Sequence, residues 1–137
     1  MPKLIVAYGA TALVFILMDM TWLTLTGSAI YRPVLGPFLA DKVDGGAAIA
    51  FYLIYNFGLV FFAVRPALQA QDWKTAVLNG LALGLVAYAT YDLTNQATLR
   101  LWSLKITLFD LCWGMTASAV ASTLGFLAAQ TFVRGPH

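Results

Sequence analysis

LIVAYGATALVFILMDMTWLTLTG, residues 4–27, decides the fold. It carries one charge, Asp19, in a run long enough to cross a bilayer core of about 30 Å, which needs roughly 20 apolar residues. The rest of the chain repeats the pattern. Residues 45–64 and 75–91 hold no charge, and residues 106–133 hold a single one, Asp110. The whole sequence of 137 residues is 61% hydrophobic and 10% charged, with a mean hydropathy of +0.79. An ordinary soluble domain is roughly 25% charged. Soluble α/β enzymes, nucleic-acid-binding modules and disordered charged proteins are excluded by these figures. The chain reads as all-α: a polytopic membrane protein with four transmembrane helices in one compact bundle.

The helices are expected over about 4–27, 46–65, 75–97 and 105–132, within a single transmembrane domain covering residues 1–137. Gly27 and Ser28 read as the end of the first. Pro33, Gly36 and Pro37 then mark residues 28–44 as a broken interfacial segment, with Tyr31, Arg32 and Phe38 in the headgroup region. Arg65-Pro66 reads as the end of the second helix. Lys3 ahead of an apolar run resembles a signal peptide, but the run is too long and Asp19 interrupts it, so it reads as a retained helix. Four crossings put both termini on one membrane side. Lys3, Arg65, Lys74 and Arg134 fall there, and Arg32, Lys42, Arg100 and Lys105 fall on the other. That even division gives the positive-inside rule no preference; the terminal amine tilts the reading to cytoplasmic termini.

Some chemistry has little to stand on. The one cysteine, Cys112, reads as a small buried hydrophobe, and the one histidine is the terminal His137. No metal site and no cofactor are expected, and no nucleic-acid partner. Small residues recur at helix-packing spacing: Gly80 and Gly84 in the third helix, and Ala117, Ala121 and Gly125 beside Gly114, Ser118 and Ser122 in the fourth. They suit close backbone contact, inside the bundle or across a homodimer.

The informative residues are the aspartates. With a rise of 1.5 Å per residue, Asp19 lies roughly 12 Å, and Asp92 and Asp110 roughly 8 Å, from the membrane side opposite the termini. Three helices thus place a carboxylate in one layer. Each costs on the order of 2.5–3.5 kcal/mol on insertion scales, so such groups normally face the interior. Arg100 and Lys105 are the nearest basic groups in sequence, with Arg100 the candidate partner of Asp92. Three carboxylates lack three cations, so at least one is expected to be protonated, hydrated or paired with an external cation. Helical spacing gathers polar and aromatic neighbours: Trp22 with Asp19, Tyr88 and Asn95 with Asp92, Trp113 with Asp110, and Tyr52, Tyr55 and Asn56 on the second helix. The expected substrate-binding set is Asp19, Trp22, Tyr55, Asn56, Tyr88, Asp92, Asn95, Asp110 and Trp113, walling a polar chamber open on the side opposite the termini. Asp-x-x-Trp occurs at both 19–22 and 110–113, a short inverted echo.

FYLIYNFGLVFFAVRPA at 51–67, NGLALGLVAYATYDLTNQATL at 79–99 and LWSLKITLFDLCWG at 101–114, with Asp19 and Trp22, carry a likeness over nearly the whole chain. It resembles the small bacterial integral membrane proteins of the DUF2177 family. The resemblance implies a four-helix membrane protein, in the bacterial inner membrane, and carries over no activity. Three functions fit the residues. One is binding or transport of a small lipophilic or cationic solute through the carboxylates and aromatic rings, with lipid around the chain and a homodimer as the working unit. Another is a structural or assembly subunit of a larger membrane complex. The third is an intramembrane enzyme acting on a lipid or isoprenoid with paired aspartates as acid and base, against which the chain offers no evident nucleophile with a base.

Overall fold

In a computed structural model, which describes the backbone of Pro2–Val133 and the side chains up to Phe132, four helices are long and apolar enough to cross a membrane. They are α1 (Pro2–Phe38), α2 (Gly45–Ala70), α3 (Trp73–Thr98) and α4 (Leu104–Val133). There is no strand among the described residues. Arg134 and His137 lie outside them. The lipid-facing surface is what the composition requires: Leu13, Leu17, Ile49, Ile54, Phe57, Leu78 and Val86 are all exposed.

Two helices run on where sequence signals suggest a stop. Gly27–Tyr31 forms a π-helical turn, Arg32–Leu35 an α turn and Gly36–Phe38 a 3-10 turn, so α1 continues through the stretch expected to be broken and residues 39–44 alone are non-helical. Likewise α2 passes Arg65-Pro66 through a π turn over Val60–Val64 and ends at Ala70. The physical reason is the solvent. Proline withholds one N–H, which ends a helix cheaply in water, but in lipid every freed carbonyl needs another donor. Pro66 cannot donate to the Phe62 carbonyl four residues back, and Asn79 Nδ2 of α3 donates to it at 3.0 Å instead. The turns between helices have ordinary causes. Gln71 takes the left-handed backbone at φ 53 between α2 and α3. Asp44 and Asp72 accept from Ala47 N and Lys74 N at 3.1 and 3.0 Å, capping α2 and α3.

α4 is the central helix; α3 and α1 pack most extensively against it. The small residues make this possible. A Cβ on Gly80 would sit 2.8 Å from the Ser118 carbonyl oxygen, and one on Gly84 would overlap the Gly114 carbonyl. A Cβ on Gly125 would overlap the Thr11 hydroxyl, so α1 closes on α4 there. These stripes serve contacts inside the bundle. Cys112, expected to be buried, is exposed on the outer face of α4, which its neighbours Trp113 and Gly114, turned inward, dictate by helical spacing. α2 is packed unevenly along its length. Its Val60–Ala70 half packs on α3, while Gly45–Leu59 leans on α1 and stands off from α3.

Candidate functional site

One face of α1 carries Ala7, Thr11, Phe15 and Asp19 at intervals of four, all buried. That face turns Asp19 between α2 and α4. Tyr52 donates its hydroxyl to Asp19 Oδ2 at 2.5 Å, and Trp113 Nε1 donates to Oδ1 at 3.3 Å. The indoles of Trp22 and Trp113 stack with centroids 4.5 Å apart and 6° between planes. Trp22 Nε1 donates to the Tyr31 hydroxyl at 3.0 Å, and that hydroxyl donates to Asp110 Oδ1. Asp19 and Asp110 therefore belong to one chain of aromatic donors spanning three helices.

Tyr31 is misplaced by the sequence reading. Its expected position is the headgroup region; its hydroxyl is instead half-buried against Asp110. The uninterrupted π turn over Gly27–Tyr31 is the cause, because it keeps the ring on the inward face two turns beyond Trp22.

Asp92 is fully buried, and neither of its carboxylate oxygens has a donor. Its carboxyl neighbours that of Asp110, a second acid. Two carboxylates bond only through a shared proton, and Asp110 already accepts from Tyr31. Arg100 is exposed and does not supply the expected partner. Among the described residues, no lysine or arginine pairs with Asp19, Asp92 or Asp110. Lys105 lies 6.0 Å from the Phe109 ring centre instead.

The remaining site residues divide. Tyr55 meets Tyr88 edge-on at 6.2 Å and shares a 2.6 Å hydrogen bond with Ser118. Tyr88 lies flat against Gly114, where any side chain would overlap its ring. Asn56 is fully buried; Nδ2 donates to the Tyr52 carbonyl at 2.8 Å and Oδ1 has no partner. Asn95 is not drawn in. It is half-buried, and its main-chain carbonyl accepts from Leu99 N at 2.8 Å at the end of α3.

Two grooves have aromatic walls and open at the side of the bundle. One of about 370 Å³ is lined by Leu17, Met18, Thr21, Trp22, Leu25 and Trp113. Another, of about 440 Å³, lies where α2 stands off from α3, between Phe51, Tyr55, Ala87, Tyr88 and Tyr91. The carboxylates do not line either groove; they sit behind the Trp and Tyr rings. The arrangement is thus two lateral grooves backed by a buried acidic layer, in place of the expected chamber opening at the membrane face. No group of three or more metal-ligating side chains occurs among the described residues. Sequence reasoning left Tyr31, Thr11, Ser118 and Ser122 out of the site, and placed Tyr52 at the chamber without counting it among the binding residues. The four-residue stripe on α1 would have found Thr11, and the same spacing on α4 the two serines.

A family model described as "Predicted membrane protein (DUF2177)" matches residues 4–127. Neither the curated proteins nor the solved structures contain a match to the chain.

Proposed function

Since the chain belongs to the DUF2177 family of predicted membrane proteins, whose description names no activity, we propose from its own residues that it binds or transports a small lipophilic cation. The observation that carries this reading is Asp92: a fully buried carboxyl with no donor, beside a second carboxyl, in a layer of three aspartates without an internal cation. A carboxylate left so in a low-dielectric interior is costly, and a proton or a positive charge from outside relieves that cost. The lateral grooves supply the apolar half of recognition. Trp22, Trp113, Tyr55 and Tyr88 present ring faces, which attract cations and apolar surface alike. The same reading has two copies working together in a bacterial inner membrane, with cytoplasmic termini.

The test is binding of tetraphenylphosphonium to the detergent-purified chain, followed by tryptophan fluorescence and equilibrium dialysis. Saturable binding is expected, lost in Asp19→Asn and Asp110→Asn while both variants still insert and run as folded species. No saturable binding by the unmodified chain overturns the reading.

A second reading, a structural subunit of a larger complex, draws on a different observation. Asp19 joins α1 to α2 through Tyr52 and to α4 through Trp113. On that reading Asp19→Asn and Asp110→Asn damage folding or the recovery of associated proteins, and tetraphenylphosphonium does not bind.

A further inference from the structure

A third groove, of about 350 Å³, runs between α1 and α2 at the end of the bundle where α1 begins. Its walls include Ile5, Tyr8, Phe57, Val60, Phe61 and Arg65. Phe57, Phe61 and Arg65 follow one another at intervals of four along α2, so one stripe of that helix supplies a whole wall. The floor is fixed. Val60 belongs to a buried apolar cluster with Ala7 and Val64, against which Tyr8 packs. The Tyr8 hydroxyl donates to the Leu53 carbonyl at 2.9 Å and ties α1 to α2 at the inner end of the groove. The Phe57 and Phe61 rings stack with centroids 5.8 Å apart and 24° between planes. Ile5, Phe57 and Phe61 are exposed on the open side.

This groove differs from the other two in its charge. Theirs have no charged side chain in their walls, whereas this one ends on Arg65. The guanidinium lies 5.6 Å from the Phe61 ring centre, and no carboxylate among the described residues pairs with it. Asp72, at the same end, accepts from Lys74 N as the cap of α3. Among the described residues, Lys3, Arg65 and Lys74 thus stand against that one acid. Because α2 passes Arg65-Pro66 and ends at Ala70, Arg65 lies roughly 8 Å inside the helix end by the rise per residue. At that depth an arginine stem runs along apolar surface while its head reaches the headgroup layer. The aspartates are elsewhere: Asp19 lies roughly 16 Å beyond Tyr8 along α1.

We propose that this groove binds an anionic phospholipid of the leaflet on that side, with one acyl chain along Phe57 and Phe61 and the phosphate on Arg65. Each part of the site matches a part of the lipid. A guanidinium offers planar pairs of N–H donors to phosphate oxygens, and the Phe61 ring beside it supports the plane. The aromatic and aliphatic walls suit a hydrocarbon chain, and a free phosphate gains nothing from them. The excess of cations at this end favours a lipid of net negative charge over a zwitterionic one, and basic pockets between transmembrane helices recur as sites for such headgroups. The proposal is independent of the solute reading. Its ligand has the opposite charge, and the groove shares no wall residue with those at Trp22 and Tyr88.

The test is native mass spectrometry of the full chain, released from detergent that contains equal amounts of palmitoyl-oleoyl phosphatidylglycerol and phosphatidylcholine. One phosphatidylglycerol per chain is expected to be retained, with a preference of about fivefold over phosphatidylcholine, the factor one basic group near a membrane surface supplies. Arg65→Gln is expected to abolish that preference. Ile5→Trp, which sets an indole in the open side of the groove, is expected to lower retention of the lipid itself. Lys74→Gln removes a cation from the same end but outside the groove, and is expected to keep the preference. Equal retention of the two lipids by the unmodified chain overturns the proposal. So does an unchanged ratio in Arg65→Gln, or an equal fall in Lys74→Gln, which would mark a general attraction to the charge of that end. Arg65 and Ile5 are both exposed, and thermal unfolding of each variant checks that the fold is kept. If Arg65→Gln does not fold, Ile5→Trp is read alone, and unchanged retention there overturns the site equally.

Discussion

Trp22 and Trp113 stack in near-parallel planes, 6° apart, yet their N–H groups serve different carboxylates: Trp113 donates to Asp19 directly, and Trp22 reaches Asp110 through Tyr31. The pair is both a wall of the lateral groove and the support of the acidic layer behind it. Replacing Trp113 by Phe keeps much of the stacking surface and removes one donor. Hydrogen bonds to charged groups contribute about 1.5–3 kcal/mol, but the 3.3 Å separation marks this as a weak one. Trp113→Phe should therefore lower stability by about 1 kcal/mol, and Trp113→Ala by several times as much because the stack is lost too. Unfolding in mixed micelles measures both.

Tyr31→Phe should cost more than its exposed position in the sequence suggests. The hydroxyl accepts from Trp22 and donates to Asp110, so its removal strands two groups at once. A loss of about 2–3 kcal/mol is expected. Tyr91→Phe is the control. Its ring is exposed and meets Trp102 edge-on at 5.8 Å, so it should be near neutral. Equal effects of the two substitutions would remove Tyr31 from the site.

Glycine substitutions should separate helix contacts from lipid-facing positions. Gly84→Ala drives a methyl group into the Gly114 carbonyl, backbone against backbone, and should destabilise the α3–α4 pair by about 1–3 kcal/mol. Gly9→Ala has nothing within 4 Å of the new carbon. It should be neutral or stabilise α1 by about 0.5–1 kcal/mol, the gain in helix propensity. Thermal unfolding of the two variants in one detergent makes the comparison.

Much of this architecture is legible in the residues, for a definite reason. In lipid the helix is the one backbone solution for a single apolar segment, so charge-free runs such as 75–91 fix their own structure. Depth is legible too, because a fixed rise per residue places Asp92 and Asp110 in one layer before any packing is known. What local signals misjudge is how helices end. Gly27-Ser28 and Arg65-Pro66 are stop signals in water, and lipid turns each into a π turn whose freed groups neighbours can serve, as Asn79 serves Phe62. That one misjudgement displaces Tyr31 from the site. The openings were not legible either. Whether a ring covers a carboxylate or leaves it in a cavity depends on how far α2 stands from α3, and no periodicity encodes that distance.

Asp92 gives the sharpest separation between stability and function. Its two oxygens are buried without a donor, and its neighbour Asp110 is another acid. An asparagine there keeps the shape, removes a buried ionisable group and offers an N–H to the Asp110 carboxylate. Asp92→Asn should therefore stabilise the bundle, by about 1–3 kcal/mol, where most core substitutions destabilise. Asp19→Asn should do the reverse, since Asp19 accepts from Tyr52 and Trp113 and an amide nitrogen facing either would strand a donor. If the acidic layer exists to meet a cation, both variants lose tetraphenylphosphonium binding although their stabilities move in opposite directions. Unfolding and binding measured on the same two preparations decide the matter. An Asp92→Asn protein that is less stable than the unmodified chain would mean that the carboxyl, unpaired as it is, holds the helices together.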